Sequence, residues 1–301
     1  SGTLQINASG SDTGAYAVAA GSTLEFTLGT RNLNAGSNVT GLGGVTMSGA
    51  TVNVNGAYTN TGALTVSSGT VSFNPSTAMN PGSIVLTGGT TVLNGVTSTP
   101  ALTLSGGTLD GSGNVTVNSA LNWTSGTMQG AGTTTVANTA TLAMSTTGTK
   151  ILADPRVLVN NGSAVWSGGT INYPGSIKGG VFNNAGTFDI QTDGNFFPGV
   201  SNSGTITKSA GSGVAAFGFN VVNDLVNNNG VVNVNSGTLR LTTNGSHSGA
   251  FNIASGATLD FGGGTHTLTA GSSMAGAGTV MVSGGGVTVN APVTLSTLRP
   301  A

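Results

Sequence analysis

Val232-Asn233-Val234-Asn235-Ser236-Gly237-Thr238-Leu239-Arg240-Leu241 states the rule on which the rest of the chain is written. Val232 and Val234 alternate with polar residues, and so do Leu239 and Leu241. A period of two marks a strand with one face turned inward. Between the two strands lies Asn235-Ser236-Gly237, a run of turn formers. The same alternation appears at Leu102/Leu104, Val115/Val117 and Val287/Val289.

The phrase Gly-Thr-apolar returns throughout the chain. It stands at Gly2-Thr3-Leu4, Gly69-Thr70-Val71, Gly107-Thr108-Leu109, Gly126-Thr127-Met128, Gly169-Thr170-Ile171, Gly186-Thr187-Phe188, Gly204-Thr205-Ile206 and Gly278-Thr279-Val280. From Gly69 through Gly89 and Gly107 to Gly126 the intervals are 20, 18 and 19 residues. Self-similarity at this spacing is the mark of a solenoid, in which each repeat buries its apolar face only by stacking on its neighbours. The Leu/Asn consensus of leucine-rich repeats is missing. Helical repeats need helix formers, and the chain has one Glu and three Lys. The expected fold is therefore all-β, a right-handed single-stranded parallel β-helix. Roughly 15 rungs of about 20 residues make a rod on the order of 70 Å long at the usual strand spacing. One domain spans residues 1–301, with an irregular, insertion-bearing section at about 145–228. Asn-x-Gly recurs at Asn60, Asn160, Asn184, Asn202 and Asn228. It reads as a corner signal, whose amides bond from rung to rung wherever they fall in register.

Composition narrows the function. Seven basic and eight acidic side chains among 301 residues give a net charge of -1. That cannot furnish the basic face that phosphate backbones require, so nucleic acid is not an expected partner. No apolar run approaches the roughly 20 residues of a membrane span. With no Cys there are no disulfides and no thiolate metal sites.

Phe182-Asn183-Asn184-Ala185-Gly186-Thr187-Phe188, Ala257-Thr258-Leu259-Asp260-Phe261 and Trp123-Thr124-Ser125-Gly126-Thr127-Met128 resemble the β-strand repeats of very large bacterial secreted proteins, the autotransporter passengers and filamentous-haemagglutinin-type exoproteins. The resemblance implies export to the cell surface and a role in adhesion, biofilm matrix or a stalk. It implies no catalytic residues.

The expected role is a structural or adhesive segment of an extracellular or bacterial cell-surface protein, acting as a rod and not as an enzyme. No cofactor or metal is expected. His247 and His266 lie in separate rungs and read as lone surface histidines. Gly262-Gly263-Gly264 is followed by Thr265 and His266, so the calcium-binding nonapeptide reading fails. An ice-binding face needs Thr arrays. Rung lengths drift, so Thr columns are not expected to hold register. Both ends lack a polar cap, which suggests neighbouring repeats of a longer chain or copies stacked end to end into a filament.

The other alternative is a β-helix that binds or degrades polysaccharide, for which Asp189 and Asp193 are the only acidic residues close in sequence. Alternation places both on one face. Residues 150–225 carry 8 of the 15 charged side chains and 8 of the 15 aromatics. A partner or glycan surface is therefore expected there, formed by Trp166, Tyr173, Asp189, Asp193, Phe196 and Phe197.

Overall fold

In the computed structural model, residues 1–74, 78–172, 179–218 and 225–290 are described. They form 37 strands and no helix. Strands in the regular part pair in parallel with the strand three elements later, as Thr187–Ile190 does with Thr205–Lys208, and Thr205–Lys208 with Val231–Val234. Each turn of chain thus lays down three strands, and the winding has three sides. On the first side the inward residues Leu4, Leu24, Val45, Leu64, Ile84, Leu102, Leu121, Leu142, Ala164, Phe188, Ile206, Val232, Phe251 and Met274 stack in register. The fold is a parallel β-solenoid of about 13 turns, fewer than the 15 expected. The excess came from dividing the chain by its shortest repeats, because later turns run longer. Along this column the steps are 18 to 21 residues as far as Leu142, then 22, 24, 18 and 26 up to Val232. At the usual strand spacing, 13 turns make a rod on the order of 60 Å long.

Period-two alternation explains the core. Val232, Val234, Leu239 and Leu241 are buried, while Asn233 and Arg240 face outward. One cluster of buried side chains runs from Val18 to Val280. Its burial is the main force holding such a fold together.

Two glycine columns make the corners. The glycine of Gly-Thr-apolar takes positive φ at Gly69 (78°), Gly89 (65°), Gly107 (68°), Gly126 (91°) and Gly237 (58°), where a Cβ is strained. The glycine of Asn-x-Gly meets a different constraint. A Cβ on Gly186 would lie 2.0 Å from the Gly162 carbonyl oxygen, and one on Gly204 would lie 2.1 Å from that of Gly186.

Because these corners and the loops absorb the drift in length, strands keep register where the sequence suggested otherwise. Thr30, Thr51, Thr70, Thr90, Thr108 and Thr127 form one continuous column. This corrects the expectation that Thr columns do not hold.

Candidate functional site

Trp166 and Phe196, expected at a partner surface, are core residues. Trp166 stands inward between Met144 and Ile190 and is wholly buried. Its Nε1–H donates to the Gly169 carbonyl at 2.7 Å. Phe196 packs edge-on against it at 5.6 Å and touches Phe182, Phe188 and Phe217. The aromatic excess of this section therefore fills the interior, as inward parity requires. Tyr173 lies outside the described residues. Phe197 is half-buried.

Asp189 and Asp193 do face outward, but each is committed separately. Asp189 accepts a hydrogen bond from Gln191 at 2.8 Å, and its other oxygen, Oδ1, is enclosed without a donor. Asp193 accepts from Lys208 Nζ at 2.8 Å and from the Gly213 N–H at 2.9 Å. Its bond to the Lys208 ammonium holds the Asp193 carboxyl below the usual range, against a smaller opposing effect of burial.

Most described cations are spent inside the protein, which the sequence reading missed. Lys208 is fully buried in a core column between Ile190 and Val234. Lys150 is fully buried, and its Nζ donates to the carbonyls of Thr146, Gly148 and Gly168 at 3.3, 3.1 and 3.1 Å. Burial pulls its ammonium below the ordinary range. Arg156 is also fully buried, donating to Thr134 Oγ1 and to the carbonyls of Gly111 and Gln129. Burial pushes it down to about 10, against the opposite pull of Asp110. Arg31 is consumed by Asp12 and Tyr16.

Arg240 differs. Its Nε donates to Asp260 at 2.7 Å, and among the described residues its terminal nitrogens have no hydrogen-bond partner. Asp260 is fully buried and also accepts from Ser283 Oγ. Arg240 lies over Gly262, where a Cβ would meet its Cδ at 2.7 Å. Together with Asn195, Phe197, Ala216, Gly218 and Thr242 it lines an open groove of about 390 Å³ that crosses successive turns. Neither Asp189 nor Asp193 lines that groove.

No family model, no curated protein and no solved structure matches this chain. The site is therefore read from its own geometry.

The histidines also correct the sequence reading. Both are fully buried, and their rings stack with centroids 5.3 Å apart. His247 continues a column of asparagines. Asn160, Asn184, Asn202 and Asn228 are in register, and His247 occupies the next turn. Each amide Nδ2 donates to the next Oδ1 at 2.8 Å. Four of the five Asn-x-Gly asparagines are thus bonded from rung to rung. Asn60 instead donates to the Thr40 carbonyl and accepts from the Gly62 N–H.

Proposed function

We propose that this chain is the shaft of an extracellular rod, a structural or adhesive segment of a bacterial surface protein. The observation that carries the reading is the unbroken inward column of fourteen strands from Leu4 to Met274. A continuous core with backbone bonds along its axis resists bending and extension, which is what a stalk or matrix element needs. Electron microscopy of the purified chain tests it. Straight particles on the order of 60 Å long are expected, given the strand spacing. Longer threads of the same width would make the chain a filament subunit instead, and round particles would remove the rod reading.

The Arg240 groove favours a second reading, attachment to polysaccharide. The buried Asp260 neutralises Arg240 and fixes it, so its free N–H groups serve as oriented donors carrying little net field. Such donors beside the half-buried Phe197 ring suit a neutral, hydroxyl-rich sugar chain better than an anion. Binding to a panel of neutral and acidic polysaccharides tests this. Retention of a neutral member, lost in Arg240→Gln, supports it, whereas equal retention of that variant removes it.

A further inference from the structure

The two histidines form a hydrogen-bonded relay whose direction is set at both ends by the backbone. The Asn228 N–H, a donor only, points to His247 Nδ1 at 3.2 Å. His247 Nδ1 therefore accepts, and the ring proton sits on Nε2. That Nε2 lies 3.0 Å from His266 Nδ1, which must accept in turn. The remaining His266 nitrogen, Nε2, then donates to the Gly263 carbonyl at 3.0 Å. Two neutral rings satisfy every contact, and an added proton satisfies none. On His247 Nδ1 it would oppose the Asn228 N–H. On His266 Nδ1 it would oppose the His247 N–H, and a tautomer flip only moves the conflict back to Asn228. Buried donors forced against each other cost far more than a lost surface bond.

We propose that the His247–His266 pair is an acid-sensitive latch that holds the turns from Val226 onward closed while both rings are neutral and releases them when a proton enters. The surroundings leave little else to titrate. Phe251 and Phe261 pack against the rings. The charged residues on the adjoining strands Thr238–Leu241 and Thr258–Phe261 are Arg240 and Asp260, which are paired with each other. Strands Val226–Asn228 and Ala250–Ile253 bring no charge. Burial, together with its neighbour His266, pushes His247 down to about 3. Burial also pulls His266 below its ordinary value, against the opposing pull of the Gly263 and Leu241 carbonyls.

The sign follows from proton linkage. A histidine depressed in the folded state takes up its proton only on opening, so opening becomes easier as pH falls below about 6.5. From about pH 7.5 to about pH 5 the opening constant rises about 30-fold for each histidine that regains its ordinary value. That figure needs only a folded value well below 5.

Amide hydrogen-exchange protection factors across this interval test the latch. Protection in Val226–Asn228, Gly245–His247 and Thr265–Leu268 should fall about 30-fold or more, while that in Ala63–Phe73 stays level. His247→Asn, which extends the amide column without a titrating ring, should lose the response. Equal falls in both regions, no fall, or a full response in His247→Asn would each overturn the proposal. Ring-nitrogen NMR of the wild-type chain is independent of how any variant folds. Both rings should be Nε2–H tautomers and remain neutral at about pH 5, and a charged ring in the folded protein at that pH would overturn it.

Discussion

Lys208 occupies a core column between Ile190 and Val234, and the parity of Ile206-Thr207-Lys208 already points it inward. A buried ammonium is tolerable there only because Asp193, Ala210 and Gly211 take its protons. Removing either partner has unequal consequences. Lys208→Met fills the column and leaves Asp193, 38% exposed, to solvent and the Gly213 N–H. Its stability should stay within about 1 kcal/mol of the wild type. Asp193→Ala strands the ammonium and should cost about 2 kcal/mol, a value reduced for screening at the partly exposed carboxylate. Denaturant titration measures both. Thr91 is the opposite case. It is fully buried between Val71 and Leu109, and its hydroxyl has no partner among the described residues. Thr91→Val should raise stability by about 1 kcal/mol in the same assay. Alternation made the inward positions legible for Val, Leu and Phe. It failed for Lys150, Arg156, Lys208 and both histidines because polarity was taken to mean exposure. Trp166 and Phe196 were misplaced for a related reason, since clustering with charges was read as a surface when parity placed them inside.

At the scale of the element, the asparagine column is a directed chain with an unfinished start. Asn160 Oδ1 is buried and lacks a donor, because Val136 stands in the turn before it. Val136→Thr puts a hydroxyl beneath that oxygen. Val117→Thr, one turn earlier in the same column, offers its hydroxyl no such acceptor. Exchanging Val for Thr in a core ordinarily costs about 1–2 kcal/mol. Thermal unfolding should show that loss for Val117→Thr and little or none for Val136→Thr. The Asn-x-Gly phrase was visible in the sequence, and so was the idea that its amides bond where they align. The alignment itself was hidden, because successive asparagines stand 24, 18 and 26 residues apart. Only the folded corners show that these unequal intervals each close one turn. Continuation of the column by His247 was hidden too, since nothing local marks a histidine as heir to an asparagine.

For the whole molecule, sparse charge makes acid sensitivity simple to assign. Stability should fall in two stages as pH is lowered. The first begins near pH 6.5, where opening lets the depressed histidines protonate, and the second lies below about pH 4, where Asp193 loses its bond to Lys208. Melting temperature followed across that range should show both steps. The class of fold was legible throughout, because alternation, turn residues and a repeat near 20 residues all demand the same winding. The number of turns was less legible, since it depends on loop lengths that local pattern leaves free.

The central claim is that residues one turn apart in a column are one strand spacing apart along the rod. The chain has no cysteine, so pairs of introduced cysteines can carry spin labels without background. Thr46, Asn122 and Thr207 share an outward column, as do Glu25 and Asn252. Thr46 and Asn122 are 4 turns apart, Thr46 and Thr207 are 8, and Glu25 and Asn252 are 11. Pulsed dipolar spectroscopy should return about 19, about 38 and about 53 Å, rising linearly with turn number. Distances that fail to rise with turn number would contradict the solenoid.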